Sequence, residues 1–241
     1  MAVEPARLVL LHGFGGTHRT WDGVIARLSC ERRPPLALDL PGHGEHAGAP
    51  RPISFEGCVE HVLAHAPERF ALCGYSLGGR VALHVALAAP ERVARLVLVA
   101  STPGIEDPAE RARRRTSDRG LADEIEHAEI EDFLQRWCAQ PMFAQDPPAV
   151  DALARADYRR SRLDALAAVL RGIGTGEMQP LWNRLPELTM PVTVLVGERD
   201  AKFQALARRM VVALPDAGLV VLPGGHRLPL ESPDAVARAL A

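Results

Sequence analysis

The 241-residue sequence lacks a surplus of charge of either sign: 28 lysine and arginine residues stand against 30 aspartate and glutamate residues, and the formal net charge is −2. This balance excludes the basic stripe with which nucleic-acid-binding proteins neutralise phosphates, so we expect no nucleic-acid partner. The sequence also lacks an uninterrupted apolar run of about 18 residues, so we expect no membrane partner. The apolar run Leu8–Leu11 is too short for a signal peptide, which makes a cytoplasmic location the expectation.

Cysteine and lysine are both scarce. No two of the cysteines form a CxxC pair; they are Cys30, Cys58, Cys73 and Cys138. We therefore expect free, buried thiols in a reducing compartment rather than disulfides. Lys202 is the only lysine in a chain that otherwise uses arginine for every cation. Its retention suggests a position that requires a compact ammonium group.

What the sequence does contain is a regular alternation of short apolar runs and longer amphipathic stretches. This pattern is typical of an α/β fold, in which βα units build a mostly parallel sheet with helices on both faces. The predicted strands are Arg7–Leu11, Leu36–Leu40, Phe70–Gly74, Ala94–Ala100, Val192–Val196 and Leu219–Leu222. The predicted helices are Trp21–Leu28, Phe55–Ala66, Leu77–Ala88, Gln204–Ala213 and Pro233–Leu240.

One stretch interrupts the alternation. Between about residues 104 and 188 no strand candidate occurs, and apolar residues such as Leu163, Leu166 and Leu170 recur at helical spacing. We therefore expect a single domain over residues 1–241. Residues 1–103 and 189–241 would form its core, and residues 104–188 a helical insertion over the carboxyl edge of the sheet, hereafter the cap.

A G-x-S-x-G pattern at residues 74–78 directly follows a predicted strand and opens a predicted helix. That context is what a nucleophile elbow requires, because its glycines permit the sharp turn that exposes the serine hydroxyl above the sheet. The pattern predicts Ser76 as a catalytic residue.

A serine nucleophile needs a base and an orienting acid, which in this arrangement follow it along the chain in the order Asp, His. Asp200 follows one late predicted strand, and His226 follows the last one after two glycines. Both positions are expected at the carboxyl edge of the sheet, where such folds bind ligands. Glu198 is a rival for the acid, but we favour Asp200.

A glycine-rich segment, residues 12–16, follows the first predicted strand. It predicts an oxyanion hole in which the backbone N–H groups of Phe14 and Leu77 stabilise developing negative charge. The competing interpretation is a dinucleotide-binding fingerprint, with Asp39 as its acid. Because His18 stands where the third glycine would be, we expect no cofactor.

Two histidine pairs have spacings that resemble metal sites. His61 and His65 are one helical turn apart, while His43 and His46 share a turn after the second strand. Neither pair shows a third ligand in the sequence; a solvated helix face explains the first pair, and a Pro-Gly turn explains the second. We therefore expect no metal site.

Together with the Asp39–Gly44 turn, these motifs resemble the α/β-hydrolase family along the whole chain. That resemblance implies an α/β-hydrolase fold with a Ser-Asp-His triad. The two antiparallel strands that open the family's sheet have no counterpart, since the first predicted strand already leads into His12 and Gly13. The fold alone says little about the substrate.

The cap adds a narrower resemblance, to the 2-succinyl-6-hydroxy-2,4-cyclohexadiene-1-carboxylate (SHCHC) synthase family of menaquinone biosynthesis. It rests on segments Glu110–Asp118, Phe133–Phe143, Leu170–Trp182 and Asp200–Phe203, and on Tyr75 and Arg80 beside the serine. The sequence departs from the family pattern at Glu177 and Met178, which lengthen a glycine-rich segment, and at Arg227, where a small or amide residue is usual.

This resemblance implies a lyase that eliminates pyruvate from 2-succinyl-5-enolpyruvyl-6-hydroxy-3-cyclohexene-1-carboxylate, without a cofactor. Whether Ser76 or His226 takes the substrate proton stays open, as does the oligomeric state. One alternative is a carboxylesterase or carbon–carbon hydrolase in which the same triad acylates Ser76. Another is a non-catalytic receptor that retains the pocket.

The implied partner is a small-molecule tricarboxylate, and a pocket for it should offer several cations, preferably arginines that bind carboxylates bidentately. The expected substrate-binding residues are Tyr75, Arg80, Arg114, Trp137, Arg159 and Lys202. Neighbours within the run Arg113–Arg115 diverge by about 100° on a helix, so the sequence does not decide which of them faces the pocket. Arg114 matches the family's arginine.

Overall fold

Six parallel strands form the centre of the molecule in a computed structural model that describes residues 6–28 and 34–241. The strands are β1 (Arg7–Leu11), β2 (Leu36–Leu38), β3 (Phe70–Tyr75), β4 (Val93–Val99), β5 (Val192–Gly197) and β6 (Ala217–Leu222). Their order across the sheet is β2-β1-β3-β4-β5-β6. The central strands are almost continuously apolar because helices cover both of their faces.

Ten α-helices lie in the described chain. They are α1 (Asp22–Ile25), α2 (Phe55–His65), α3 (Leu77–Ala88), α4 (Pro108–Ile125), α5 (Ile130–Cys138), α6 (Pro148–Tyr158), α7 (Leu163–Ile173), α8 (Ala201–Ala213), α9 (Leu228–Glu231) and α10 (Pro233–Leu240). Short 3₁₀ helices span His18–Trp21, Gly44–His46, Pro90–Arg92, Pro141–Phe143 and Trp182–Glu187. Among these helices none is long and apolar enough to cross a membrane.

Two apolar layers sandwich the sheet. On one face α2, α3 and α8 bury residues such as Val62, Val81 and Met210. On the other face α1, α9 and α10 bury Val24 and Val236, among others. The predicted α/β class, with helices on both faces of the sheet, is confirmed.

Differences between predicted and observed boundaries have local causes. Strand β2 ends at Leu38 rather than Leu40, because the N–H of Leu40 donates to Nε2 of His12 and has left the sheet. Helix α8 begins at Ala201 rather than Gln204, because the Asp200 carboxylate caps it by accepting from the N–H of Phe203. The predicted helix from Trp21 is a 3₁₀ turn followed by the short α1.

Four helices, α4 to α7, fill the chain between β4 and β5, and they pack against one another around their own apolar cluster. Helix α4 begins where the sequence indicates: Asp107 caps its first turn by accepting from the N–H of Glu110, and Pro108 follows. The cluster contains Phe133, Tyr158 and Leu166.

Three of the cysteines, Cys58, Cys73 and Cys138, are buried free thiols. Burial raises the pKa of Cys58 to about 12. Burial also raises the pKa of Cys73 and of Cys138. All three thiols are therefore protonated and unreactive at neutral pH. The fourth, Cys30, lies outside the described residues.

Candidate active site

Ser76 occupies a strained turn between β3 and α3. Its backbone has φ 52° and ψ −108°, a conformation that non-glycine residues rarely adopt. The flanking glycines make the turn possible, since a Cβ at Gly74 would overlap the carbonyl of Gly78, and one at Gly78 would overlap the backbone of Leu11. The turn lifts the hydroxyl above the carboxyl edge of the sheet.

His226 connects Ser76 to Asp200. Its Nε2 lies 3.2 Å from Ser76 Oγ, and its Nδ1 lies 2.7 Å from Asp200 Oδ2. A carboxylate can only accept, so Nδ1 carries the hydrogen, and the lone pair on Nε2 faces the serine hydroxyl. The histidine ring is 1% exposed, which keeps water away from this relay.

Glycines also bring the two late loops together. The loops after β5 and β6 approach so closely that a Cβ on Gly197 would overlap the carbonyls of Gly224 and Gly225. This approach places Asp200 against His226. Glu198, the rival acid, instead points outward toward Arg199 and is largely exposed.

The proposed oxyanion hole lies beside Ser76. The backbone N–H of Leu77 is at the first position of α3, where a helix offers it no internal partner. Phe14 lines the same cavity as Ser76. Its loop is fixed by His12, whose two ring nitrogens contact the carbonyl of Gly13 and the N–H of Leu40.

Asp39 holds two loops together, which is incompatible with the ribose-binding role that a dinucleotide-binding site would require of it. Its carboxylate accepts from the backbone N–H groups of His18 and Glu45, at 2.5 and 2.9 Å, and also contacts the His18 ring. These contacts hold the pKa of Asp39 below its usual value despite burial. The carboxylate therefore joins two loops and has no freedom to bind a ribose.

A cavity of about 460 Å³ opens above the triad, between the sheet edge and the cap. Its floor contains Ser76, Asp200 and His226. Its walls include Tyr75, Phe14, Leu77, Arg80, Arg114, Trp137 and Lys202. The structure thus brings together every predicted site residue except Arg159.

Two arginines approach each other in this cavity. Arg80 is buried, and one of its Nη atoms donates to the carbonyl of Ile173 at 2.6 Å. Burial, together with the nearby charge of Arg114, lowers the pKa of Arg80 to about 10. Arg114 pairs with Asp118 at 2.7 Å. An anion placed between the arginines would relieve their repulsion.

Lys202 adds a third cation at the exposed mouth of the cavity. Its ammonium lies 5.9 Å from the centre of the Phe203 ring. Among the lining residues that the structure describes, Asp200 is the only carboxylate, and it already pairs with His226. The cavity is therefore electropositive and suited to anionic ligands.

The placement of Arg159 corrects the sequence-based expectation. Its guanidinium forms a bidentate pair with Glu131, at 2.7 and 2.9 Å, on the exposed surface of the cap. It does not line the cavity. Arg159 stands at the end of α6, and its direction depends on how that helix is rotated, which a sequence pattern does not reveal. Within the run Arg113–Arg115, only Arg114 lines the cavity.

Two aromatic residues beside the triad were missed by sequence reasoning. The ring of Phe203 lies 4.6 Å from that of His226, and the ring of Phe143 lies 6.0 Å from it. Both line the cavity. Both residues lie in segments that carry the narrower family resemblance, and Phe203 also lies in the first turn after Asp200, but no sequence pattern marked either ring as a neighbour of His226.

Arg227, which departs from the pattern of the SHCHC synthase family, joins the loop that carries His226 to the cap. Its guanidinium is 1% exposed, pairs with Asp146 at 2.8 Å and Asp151 at 3.3 Å, and lies 3.9 Å from the centre of the Phe143 ring. The residue next to His226 is thereby tied to cap residues.

Comparison with known proteins agrees with this geometry. The sequence model of the Alpha/beta hydrolase family matches residues 8–239. The 2-succinyl-6-hydroxy-2,4-cyclohexadiene-1-carboxylate synthase of Serratia proteamaculans (strain 568) is 34% identical, over 97% of this chain and 91% of that protein. The synthase of the same name from Salmonella newport (strain SL254) is 33% identical, over 97% and 92%.

Among solved structures, MenH from S. aureus superposes with a TM-score of 0.90 at 30% identity, covering 99% of this chain and 93% of that one. Sequence and structure matches thus extend over both the sheet and the cap. The chain belongs to the Alpha/beta hydrolase family and, within it, to the family of the 2-succinyl-6-hydroxy-2,4-cyclohexadiene-1-carboxylate synthases.

Proposed function

We propose that this chain is the lyase that eliminates pyruvate from 2-succinyl-5-enolpyruvyl-6-hydroxy-3-cyclohexene-1-carboxylate to give SHCHC in menaquinone biosynthesis. The observation that carries the proposal is a single cavity in which a Ser-His-Asp relay faces three cations. The similarity to SHCHC synthases supports the choice of reaction.

The reaction begins with loss of the proton on the ring carbon next to the succinyl ketone. The Ser76 oxygen takes this proton from the substrate while it gives its own hydroxyl proton to the His226 imidazole. The 3.2 Å contact between Ser76 Oγ and His226 Nε2 allows this second transfer. Asp200 stabilises the resulting imidazolium. The N–H groups of Phe14 and Leu77 would bind the enolate oxygen, the role such donors have in acyl transfer.

Elimination then follows within the substrate. The electron pair of the broken C–H bond forms a new ring double bond, the existing double bond shifts by one position, and the C–O bond to the enolpyruvyl group breaks. The leaving group takes up a proton on carbon and becomes pyruvate. We propose that His226, protonated through Ser76 in the first step, supplies that proton.

Three cations match the three carboxylates of this substrate. Arg80 is buried in the cavity wall, Arg114 is partly exposed and paired with Asp118, and Lys202 lies at the mouth, so a tricarboxylate could span from the sheet edge to the opening. Trp137 and Tyr75 add aromatic surface to the lining of the same cavity. We also propose that the chain is cytoplasmic, and that residues 104–188, approximately, form a cap over a core made of the remaining residues.

A direct assay tests the reaction. The purified chain is incubated with the enolpyruvyl substrate, and pyruvate is measured with lactate dehydrogenase while the ring diene is followed by absorbance. We expect stoichiometric formation of both products. No pyruvate from the wild type would overturn the proposal.

The second candidate is a carboxylesterase, favoured by the fact that the same relay and elbow can acylate Ser76. The discriminating measurement is turnover of simple esters together with the intact mass of the chain. Rapid ester turnover through a trapped acyl-enzyme, without pyruvate from the enolpyruvyl substrate, would establish the esterase instead.

A further inference from the structure

Three histidines meet outside the cavity, at the β2 edge of the sheet. His46 ends the 3₁₀ turn after β2, and His61 and His65 lie one turn apart near the end of α2. One ring nitrogen of each lies within 4.8 Å of one from each of the others. None of the three lines the cavity, so the catalytic proposal leaves this cluster without a function.

The rings face one another rather than lying as independent surface groups. The ring centres of His46 and His61 are 4.4 Å apart, those of His61 and His65 are 4.4 Å apart, and those of His46 and His65 are 5.7 Å apart. The sequence-based expectation that His61 and His65 have no third ligand beside them is wrong, because the turn after β2 folds back onto α2. His43, the other member of the second predicted pair, is buried and packs against His12 instead.

Backbone carbonyls orient two of these rings. Nε2 of His61 donates to the carbonyl of Asp39 at 3.0 Å, and Nδ1 of His65 donates to the carbonyl of His61 at 2.8 Å. Each contact fixes the hydrogen on one nitrogen and leaves a lone pair on the other. Metal-ligating histidines usually have such a partner for their second nitrogen.

His46 is held by its backbone. Its N–H donates to the carbonyl of His43 at 2.8 Å, and its own carbonyl accepts from Gly42 at 2.9 Å and Ala49 at 3.1 Å. The turn therefore presents the ring from a fixed position. The exposed His65 retains the freedom to close on an ion.

We propose that His46, His61 and His65 form a binding site for a divalent transition-metal ion of the Zn²⁺ class, with a fourth position open to water. Zn–N bonds of about 2.0–2.1 Å in tetrahedral geometry place ligand nitrogens about 3.4 Å apart. The histidine nitrogens lie within 4.8 Å of one another, so they would draw closer as an ion binds. Three imidazole ligands favour Zn²⁺, Cu²⁺ and Ni²⁺ over Mg²⁺ and Ca²⁺, which prefer oxygen. The bound ion would tie the turn after β2 to α2.

Calorimetric titration of the untagged 241-residue chain, freed of metal with EDTA and dialysed, tests the site with ZnCl₂ as the ligand. We expect one ion per chain with a Kd of about 1 μM or tighter. Removing a ligand should cost more than the roughly 10- to 100-fold that loss of a supporting partner costs, so His61→Ala and His65→Ala should each bind at least about 100-fold more weakly. His127→Ala, at an exposed histidine elsewhere in the chain, is the matched control and should bind as the wild type does.

Further measurements separate loss of metal binding from loss of folding. Because His65 is exposed, its variant should fold normally, and circular dichroism checks this. Co²⁺ binding should produce the visible absorption of a four-coordinate ion, and Zn²⁺ should raise the melting temperature of the wild type but not of His65→Ala. The proposal is overturned if the wild type binds no Zn²⁺ below about 100 μM, or if His65→Ala binds it as tightly as His127→Ala does.

Discussion

The floor and the roof of the cavity are built by different means. On the floor, backbone geometry places the groups: the strained turn at Ser76 and the close approach of Gly197 to the Gly224–Gly225 turn position the relay. In the cap, side chains on helices line the cavity. Two cap arginines that were both expected to bind substrate are placed differently. Arg114 lines the cavity, while Arg159 pairs with Glu131 outside it.

Backbone-positioned groups and helical side chains are suited to different tasks in the site. Groups fixed by the backbone can perform proton transfer, which requires contacts near 3 Å. Groups on helical side chains can adjust to a ligand and neutralise its charges. Changes on the floor should therefore lower turnover, and changes among the cations should weaken binding of the carboxylates.

The largest effect should come from the floor. Ser76→Ala removes the hydroxyl that contacts His226, and we expect kcat on the enolpyruvyl substrate to fall about 100- to 10,000-fold, the usual contribution of a general acid–base group. KM should change little, since the cations remain. Pyruvate release under saturating substrate measures this.

A raised KM with an intact kcat in Ser76→Ala would contradict a role for the serine in proton transfer. In that case the serine would bind substrate, and His226 alone would move the proton. Ser101→Ala is a suitable control, since its hydroxyl lies beside the same turn and donates to the Ser76 carbonyl without touching the relay. It should retain most of the activity.

Arg80 comes next. Its buried guanidinium should make a desolvated contact with a substrate carboxylate, so Arg80→Ala should lower kcat/KM by about 30- to 1000-fold. Arg119 pairs with Glu177 on the surface, and Arg119→Ala should change kcat/KM little. Equal losses at both positions would show that the cavity is not the substrate site. A melting curve for each variant separates weaker binding from lost folding, because Arg80 also bonds to Ile173.

The same contrast explains what could be predicted from the sequence. Ser76, Asp200 and His226 were predictable because strand ends and glycines mark them locally, and parallel strands bring their carboxyl ends to one edge. The orientation of Arg159 and the approach of His46 to α2 could not be predicted from the sequence, because both depend on how a helix or turn packs against an element distant in the chain. The predicted strands, and all of the bounded helices except the one at Trp21, were of the right type; that one is a 3₁₀ turn followed by the short α1. Boundaries shifted where a side chain such as Asp200 capped a helix.

A fall in pH should weaken the buried His12–His43 contact at the turn after β2 before it weakens the exposed ion pairs of the cap. Burial, together with the nearby His12, lowers the pKa of His43 to about 3, against 6.5 in the unfolded chain. The folded state therefore excludes a proton that the unfolded state accepts, so this stability is complete above pH 6.5 and is lost as the pH falls from 6.5 toward 3. The loss is about 1.4 kcal/mol per pH unit, a tenfold change in the folding equilibrium.

Urea unfolding between pH 7 and 4.5, in EDTA, measures this slope for the wild type and His43→Asn. The variant should show a slope smaller by about one proton, while other buried histidines such as His12 still contribute to both. Identical slopes would mean that His43 titrates normally. The carboxylate of Glu131, whose pKa its hydrogen bond with Arg159 lowers, should matter only at more acidic pH.

A smaller effect is expected at the mouth of the cavity. Lys202 is exposed, so Lys202→Ala should lower kcat/KM only about 3- to 5-fold, and added salt should shrink the difference. We expect Lys202→Arg to fall short of the wild type, because a planar guanidinium does not reproduce a compact ammonium. Full activity of the arginine variant would refute the need for a lysine there, and full activity of the alanine variant would remove Lys202 from the substrate site.

The smallest effect should be at Arg159, and this prediction decides whether the cap keeps its arrangement during turnover. Arg159 and Glu131 are both exposed, and such a pair contributes little to stability, so Arg159→Ala should leave kcat/KM within about twofold of the wild type. Arg114 does line the cavity, so Arg114→Ala should lower kcat/KM more than Arg159→Ala does. If Arg159→Ala instead lost tenfold or more, the end of α6 would have to move toward the substrate, breaking the Glu131 pair. Glu131→Ala would then be expected to raise activity by releasing the arginine, whereas a static cap predicts no change for either variant.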